Sequence, residues 1–360
     1  MDPIQRARRR IARVCSETRT PTALLHALRE ALAPLVPADR WCGLTFDPAT
    51  TLPTGGVHHE GVAPARVPRL LELEFGGGDI NGFADLARRP LPAATLSAAT
   101  GGRHDASARY RDVFAPEGLQ HELRAVFRDE AGAWGGLVLL RGRGARDFSA
   151  EETALLAHVS KDACRALRGM LLRAEALGDD GTDGPGLLLL RGAGLALDYA
   201  NPAAARWLEE IDDCSAGHLP YALHSLALRA RHGDGHARAR MRTRAGRWLT
   251  AHAEAMPDGC ISLILEPSRP HEIAQVLAAA YGLTAREAEV VRCVAAGHAN
   301  AEIARQLGVS RYTVEDHLRN VYAKLAVGSR AALIAKLFHD HYLPRAEAGT
   351  AIAGHGGFAR

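Results

Sequence analysis

The stretch LTAREAEVVRCVAAGHANAEIARQLGVSRYTVEDHLRNVYAKLAVGSRAALIAKLF, residues 283–338, carries the clearest structural pattern in the chain. Thr284 and Glu287 have the spacing of a capping box, in which two side chains satisfy backbone N–H groups at the start of a helix. Asn300 is predicted to cap a second helix and Ser310 a third, because short polar side chains accept hydrogen bonds from the first helical turn. Three successive helices are therefore predicted.

Apolar residues recur at helical spacing in each of these three segments. The predicted inward faces are Ala288, Val291, Val294 and Ala295 in the first helix, Ile303, Ala304 and Leu307 in the second, and Val314, Leu318, Val321, Tyr322 and Leu325 in the third. Small Ala304 lets two helices cross closely, Gly308 makes a left-handed turn and β-branched Val314 fills the angle between them. This spacing is typical of a helix-turn-helix, although small residues also occur where other antiparallel helices cross.

The whole segment resembles the LuxR-type DNA-binding domain. The matching residues are Leu283, Thr284, Arg286, Glu287, Val290, Gly297, Ile303, Ala304, Leu307, Gly308, Ser310, Thr313, Val314, His317, Leu318, Lys324, Leu325 and Arg330. The resemblance implies an all-α domain of four helices over 270–344, with a recognition helix near 311–325 and a fourth helix over 330–338 that often serves dimerisation. It also implies double-stranded DNA as partner, a homodimer, and a transcription regulator that is not an enzyme and has a possible contact with RNA polymerase.

Ten residues are the candidates for DNA contact: Asn300, Ser310, Arg311, Tyr312, Thr313, Glu315, Asp316, Arg319, Asn320 and Lys324. The resemblance implies that Thr313 and its neighbours touch phosphates. On a helical wheel, four residues lie opposite the apolar stripe of the third helix and are predicted to face the major groove: Tyr312, Glu315, Asp316 and Arg319. The chain departs from the family at Glu315, where lysine is common. The alternative is a solvated charged face with a Glu315–Arg319 pair.

Residues 1–177 are predicted to form a first module with an opening helix, strands near 41–47, 123–129 and 135–141, and a long final helix. Ser149 and Glu152 have capping-box spacing at the start of that helix. Its apolar stripe has the alternating spacing of a coiled-coil seam, namely Leu156, Val159, Ala163, Ala166 and Met170. Two interpretations stay open, self-association through this stripe and packing on the module's own sheet. Over roughly 15–175 the arrangement resembles a GAF domain.

The glycine-rich, acidic stretch GDDGTDGPG, residues 178–186, predicts a linker. Residues 185–268 then show strand, turn and strand, a helix capped by Asn201, and two further strands joined by a turn at 257–259. This order resembles a PAS domain. The expected fold class is α+β and multidomain, with GAF-like and PAS-like antiparallel-sheet sensor domains, the all-α domain and a flexible tail at 345–360.

Composition limits the other functions. The chain has 360 residues, enough for two or three domains, and its net charge of +3 is too small to predict nucleic-acid binding by itself. The six scattered cysteines lack metal-ligand or disulfide spacing, and no apolar run reaches membrane-spanning length, so a cytoplasmic protein without membrane contact is expected. His232 and His236 are separated by glycines, and no metal or cofactor site is predicted.

The input to the regulator is expected to be an unknown small molecule or protein bound by the amino-terminal modules. The alternative function is a cofactor-binding sensor or protein-interaction module with weak or vestigial DNA binding, because Glu315 and Asp316 place acids on the predicted DNA-facing helix.

Overall fold

The computed structural model of the chain describes residues 3–58, 60–173, 184–211, 219–244, 247–268, 276, 278–295 and 297–341. Its backbone contacts divide the chain into two compact units, and each is described by itself. One unit comprises Met1–Met170 and Asp183–Pro267, and the other comprises Leu171–Thr182 and Ser268–Arg360.

The first part of the amino-terminal unit is built on a five-stranded antiparallel sheet. Its elements are α1 (Pro3–Glu17), α2 (Pro21–Leu32), β1 (Arg40–Phe46), β2 (Pro53–Val57), α3 (Val67–Leu71), α4 (Phe83–Arg88), β3 (Ala93–Thr95), α5 (Leu96–Thr100), β4 (Leu119–Asp129), β5 (Gly132–Gly142) and α6 (Ala150–Arg173). The strand order is β2-β1-β5-β4-β3. β4 and β5 form the predicted hairpin, in which Asp129 pairs with Gly132. The three strands predicted in this region are confirmed.

Helix α6 packs on this sheet. The backbone N–H of Ser149 donates to Glu152 Oε2 at 2.8 Å, and the N–H of Glu152 donates to Ser149 Oγ at 3.1 Å, which confirms the predicted capping box. The predicted apolar stripe is buried inside a single chain, with Leu156 and Val159 exposed by 0% and 1%. These side chains are therefore occupied by packing on their own unit, and the coiled-coil interpretation of the stripe is wrong.

A second five-stranded antiparallel sheet follows, with the same relative strand order. Its elements are β6 (Gly186–Arg191), β7 (Ala196–Ala200), α7 (Pro202–Glu210), α8 (Tyr221–His232), β8 (His236–Arg242), β9 (Trp248–Ala255) and β10 (Ile261–Pro267), and the strands run β7-β6-β10-β9-β8. Asn201 caps α7 as predicted, since its Oδ1 accepts from the N–H of Ala204 at 2.8 Å. The sequence analysis missed α8 and β8. In β8, arginines alternate with the inward-facing Ala239 and Met241, so the segment lacks an obvious apolar pattern.

The two sheets share one hydrophobic core, to which Phe46 and Phe75 contribute from the first part and Leu223 and Ala239 from the second. A buried ion pair crosses the same boundary. Asp47 accepts three hydrogen bonds from Arg240: from the backbone N–H and Nε at 2.9 Å, and from Nη2 at 3.0 Å. The two side chains are 0% and 2% exposed. The segments expected to act as separate sensor domains thus pack together in one unit.

The described residues contain no helix that has both the length and the apolar character needed to cross a bilayer.

The buried imidazole of His224 on α8 makes the stability of this unit depend on pH. Burial, and secondarily the nearby charge of Arg231, lower the pKa of His224 from 6.5 to about 4. Since the unfolded chain binds the proton first, the free energy of unfolding should fall by up to about 3 kcal/mol as the pH drops from 6.5 to about 4.

Urea unfolding of wild type and His224→Gln across this pH interval measures the effect, and the variant should lose less stability on acidification. His158→Gln, on the exposed side of α6, is the matched control and should behave as wild type. Parallel losses in wild type and His224→Gln would show that His224 is not the group responsible.

Candidate nucleic-acid interface

From residue 285 onward the carboxy-terminal unit contains four helices: α9 (Ala285–Ala295), α10 (Asn300–Leu307), α11 (Arg311–Leu325) and α12 (Arg330–His341). Their shared core is Leu283, Val290, Cys293, Val294, Ile303, Ala304, Val314, Leu318, Val321, Leu325 and Leu333. The predicted fourth helix begins at Arg330 as expected and continues to His341. The predicted all-α character of this domain is confirmed, and helical residues at 276 and 278–280 precede the four predicted helices.

Helix α9 begins with the predicted capping box, since the Thr284 N–H donates to Glu287 Oε2 at 2.7 Å and the Glu287 N–H donates to Thr284 Oγ1 at 3.3 Å. Its predicted inward face was only partly correct. Val290, Cys293 and Val294 are buried, whereas Ala288 and Val291 are half-buried, and the side chain of Ala295 lies outside the described residues. The physical reason is that the capping carboxylate is itself buried, which orients the face of α9 that contains Glu287 and Val290 toward the core.

The turn between α10 and α11 has the predicted geometry. Gly308 adopts a left-handed conformation with φ of 65°, and the carbonyl of Ala304 accepts the N–H groups of Gly308 and Val309. Ala304 and Val314 are both buried. Because a side chain at Gly308 would strain the left-handed backbone, glycine allows α11 to follow α10 so directly. The two helices form a helix-turn-helix.

Asn300 does not cap α10, which corrects the sequence prediction. The N-cap is Ala299, whose backbone N–H donates to Glu302 Oε2 at 2.7 Å, so a carboxylate inside the helix supplies the cap. Asn300 is the first helical residue, and its Oδ1 accepts a hydrogen bond from Arg330 Nη1 at 3.1 Å. This contact ties the start of α12 to the start of α10.

Helix α11 presents one buried and one exposed face. Ser310 caps it as predicted, accepting from the Thr313 N–H at 3.0 Å. The buried stripe is Val314, Leu318, Val321 and Leu325, while Tyr322 and His317 are half-buried. The opposite side is exposed and consists of Arg311, Tyr312, Asp316, Arg319 and Asn320. Tyr312 is 80% exposed, so this bulky ring makes little contact within its own unit.

Two ion pairs along α11 neutralise its exposed face. Arg311 Nε lies 3.1 Å from Glu315 Oε1, and Arg319 Nη1 lies 2.9 Å from Asp316 Oδ1. The Glu315–Arg319 pair considered from sequence is replaced by these two. Glu315 lies at the edge of the face and is half-buried. Both Glu315, where the chain departs from the family pattern, and Asp316 are thus matched by an arginine on the same helix.

Lys324 contacts α9. Its Nζ lies 2.6 Å from Glu287 Oε2, the carboxylate that also caps α9. Glu287 is nearly buried and Lys324 is about one-third exposed. Burial alone would raise the pKa of Glu287, but the hydrogen bonds from Lys324 and Thr284 hold that pKa below its ordinary value. The structure therefore places nine of the ten candidates on or directly before α11, all except Asn300. It engages Asn300 and Lys324 in contacts between helices.

A cavity within the first part of the amino-terminal unit is a second candidate site. Its volume is about 50 Å³, room for about four water-sized groups. Its lining is mainly apolar, with Leu44, Val62, Val67, Leu71, Phe75, Phe83, Phe114, Val138 and Leu140. Three buried charged residues also line it: Glu74, Glu122 and Arg124.

A network of hydrogen bonds holds these charges. Arg124 donates to Glu74 at 2.8 Å, and the fully buried Arg109 donates to Glu122 at 2.9 Å. Among the described residues, Glu122 Oε1 and Arg124 Nε have no hydrogen-bond partner, although the two atoms are 3.3 Å apart. The cavity therefore combines an apolar wall with charged side chains that are already held by one another. The sequence analysis missed it, because its lining comes from segments distributed between residues 42 and 140.

The helix-turn-helix geometry agrees with comparisons to known proteins. Residues 282–337 match the model of the family described as bacterial regulatory proteins, luxR family. The carboxy-terminal segment is thus a LuxR-family helix-turn-helix domain.

Two curated relatives match in this segment. One is a probable transcriptional regulatory protein, SgaR, from Hyphomicrobium methylovorum, with 49% identity over 15% of this chain and 25% of the relative. The other is the monoamine regulon transcriptional regulator of Klebsiella aerogenes, with 48% identity over 15% of this chain and 24% of the relative. The matched segment thus spans about a quarter of the length of these relatives.

Among solved structures, the bacteriophytochrome RpBphP3 of R. palustris matches with 12% identity and a TM-score of 0.30, over 73% of this chain and 62% of that one. This likeness is too low to support an argument about fold.

The Glu287–Lys324 contact generates a stability prediction. Lys324→Met should lower the free energy of unfolding of the carboxy-terminal unit by about 1–3 kcal/mol, because it leaves a nearly buried carboxylate without its charged partner. The difference from wild type should begin to shrink as the pH falls below 4.5, the value for the unfolded chain, and should vanish once the pH passes the lowered pKa of folded Glu287, because a protonated Glu287 no longer attracts Lys324.

Circular dichroism during chemical unfolding measures this loss. Arg305→Met, which removes an exposed cation from α10 of the same unit, is the matched control and should change stability little. Equal stabilities of Lys324→Met and Arg305→Met would show that the contact between α9 and α11 contributes nothing.

Proposed function

We propose that the chain is a sequence-specific DNA-binding transcription regulator that binds as a homodimer and inserts α11 into the major groove. The observation that carries this proposal is the exposed face of α11. This is the second helix of a helix-turn-helix, and it directs Arg311, Tyr312, Arg319 and Asn320 away from its own core. In proteins of this architecture, that helix contacts base edges.

The side chains on this face have the chemistry that base recognition needs. Arg319 can donate two hydrogen bonds to guanine O6 and N7, and Asn320 can pair with adenine N6 and N7. Glu315 or Asp316 can accept from cytosine N4. Ser310 and Thr313, at the amino end of α11, are suited to phosphate contact, because the helix dipole and free N–H groups favour anions there.

The two ion pairs explain how a face with acids can approach DNA. A free carboxylate would be repelled by phosphate, but here Arg311 and Arg319 already compensate Glu315 and Asp316. The unbound face is close to neutral, so little of its affinity is expected to come from non-specific attraction to the backbone. Recognition would then depend on exchanging each intrahelical pair for contacts with the correct bases.

This proposal predicts opposite effects of two substitutions. Arg319→Ala should weaken binding to a DNA site selected from random duplexes by about tenfold, because it removes a contact to guanine or phosphate. Glu315→Lys should strengthen binding to scrambled DNA and steepen the salt dependence by about one to two units, because it adds a cation and releases Arg311. Fluorescence anisotropy of the full chain across a salt series measures both effects.

Arg292→Ala is the control, since it removes an exposed arginine from α9 and not from α11. The placement of α11 is contradicted if Arg292→Ala and Arg319→Ala have equal effects and Glu315→Lys leaves the salt slope unchanged. A homodimer also predicts that the selected site is an inverted repeat with half-sites about 10 base pairs apart or a multiple of this. A single asymmetric site bound by one chain would refute the dimer.

The second candidate function is a sensor or protein-interaction module whose DNA binding is weak or vestigial. The observation that favours it is the balanced charge on α11, which leaves no net positive patch on the exposed face. Failure to select any preferred sequence from random DNA would support this alternative over the first proposal.

For the signal that controls the regulator, we infer that the cavity beside Glu122 and Arg124 binds a small, neutral amphipathic molecule. The apolar wall suits a short hydrocarbon group, and the charged side chains of Glu122 and Arg124 in the lining suit a polar head group. Three carboxylates (Glu74, Asp79 and Glu122) surround two guanidinium groups (Arg109 and Arg124), which disfavours an anion. The proposal of a transcription regulator also includes a cytoplasmic location and a contact with RNA polymerase.

Thermal unfolding of the full chain with acetamide or acetate, each with about four non-hydrogen atoms, tests the cavity. Acetamide should raise the melting temperature and acetate should not. Val62→Phe fills the lining and should abolish the shift caused by acetamide. For each protein, the melting temperature with ligand is compared with that of the same protein without ligand. A change in the stability of the variant itself therefore does not affect the comparison. A shift with both compounds, or one retained in Val62→Phe, would contradict the assignment.

A further inference from the structure

We propose that His104, His121 and Asp147 form a binding site for a divalent transition-metal ion of the zinc class. Each residue offers one ligand atom, and these three atoms lie within 4.8 Å of one another. His104 lies in a 3-10 turn after α5, His121 lies on β4, and Asp147 precedes α6. The site thus joins three segments of the amino-terminal unit that are distant in sequence.

The geometry of His121 and Asp147 fits a shared ion better than a hydrogen bond. The His121 ring is nine-tenths buried, and its Nδ1 lies 3.3 Å from Asp147 Oδ1. Nevertheless, this nitrogen makes no hydrogen bond among the described residues. With metal–ligand bonds of about 2.0–2.1 Å, neighbouring ligand atoms of a tetrahedral site lie about 3.3–3.4 Å apart. The observed separation is therefore the length of one edge of such a site.

The surroundings of His104 resemble those of a metal ligand. Ser97 Oγ lies 2.6 Å from His104 Nε2, which leaves Nδ1 available to an ion. A second hydrogen bond of this kind orients a ligating imidazole and selects its tautomer. The ring also packs against Tyr110 and, edge to face, against His121, with centroids 5.4 and 5.5 Å apart. Both imidazoles are thus held in place before any ion binds.

The donor set selects the class of ion. Two imidazoles and one carboxylate suit Zn²⁺ and Co²⁺, whereas Mg²⁺ and Ca²⁺ prefer oxygen ligands throughout. The nearest arginine in sequence, Arg146, is paired with Glu152 at 3.0 Å. With neutral histidines, Asp147 supplies one negative charge toward the ion. Three protein ligands leave the fourth tetrahedral position to water, so the site is open on one side.

An ion bound here would stabilise the folded amino-terminal unit, because the three ligands come together only in the fold. The stabilisation grows with the ratio of free ion to dissociation constant.

The test uses the untagged full chain, freed of metal with a chelator and titrated with Zn²⁺ by calorimetry and with Co²⁺ by visible absorbance. We expect one tight site per chain, the intense absorbance of tetrahedral Co²⁺, and no competition by Mg²⁺. His121→Ala and Asp147→Asn should each weaken binding at least tenfold. Ser97→Ala, which removes no ligand, should weaken it by about 10- to 100-fold.

His158→Ala is the matched control, because it removes an exposed histidine from α6 and should leave the tight site intact. The chain has 17 histidines, so weak surface binding alone would appear equally in every variant. Equal Zn²⁺ binding by wild type, His121→Ala and His158→Ala overturns the proposal. If His121→Ala does not fold, Asp147→Asn and Ser97→Ala decide the question in the same way, each checked by circular dichroism without metal.

Discussion

The bidentate contact between Asp47 and Arg240 joins the two halves of the amino-terminal unit. An ion pair with both side chains almost completely buried is costly to desolvate, and it persists only because the carboxylate accepts three hydrogen bonds from one arginine. Asp47 directly follows β1 of the first sheet, and Arg240 lies within β8, an edge strand of the second sheet. The common core of the two sheets surrounds this ion pair, so neither sheet can move independently without exposing an unpaired charge to an apolar interior.

The carboxy-terminal unit depends instead on local geometry reinforced by one contact between helices. Gly308 turns the chain sharply enough for α11 to pack on α10, and Val314 fills the space that results. Glu287 then performs two tasks, since one carboxylate oxygen accepts both the Thr284 N–H that starts α9 and the Lys324 ammonium near the end of α11. The exposed face of α11 owes its orientation to these contacts, although it takes no part in them.

Most of the helix-turn-helix was predictable from the sequence, and each wrong prediction has its own physical reason. Ser310 and Thr284 were identified correctly as caps because each acts within three residues of itself. Asn300 was not, because the helix begins one residue earlier at the N-cap Ala299, whose N–H donates to Glu302, and Arg330 donates to the asparagine oxygen. On α11, spacing allowed several equivalent ion pairs, and only side-chain positions distinguished Arg311–Glu315 from Glu315–Arg319. The spacing of the α6 stripe is compatible both with a coiled coil and with packing on the sheet, and only the burial of its side chains distinguishes the two.

The sequence by itself determined the four helices of the carboxy-terminal unit, the left-handed turn at Gly308 and the hairpin of β4 and β5. These features depend on residues a few positions apart, whose caps, turns and periodicity act locally. Only the tertiary structure decided that the two sheets share a core through Asp47 and Arg240. It alone also brought His104, His121 and Asp147 together and placed Glu122 and Arg124 beside a cavity. The physical reason is that strand register and sheet packing set such distances between segments remote in the chain, and no local pattern encodes them.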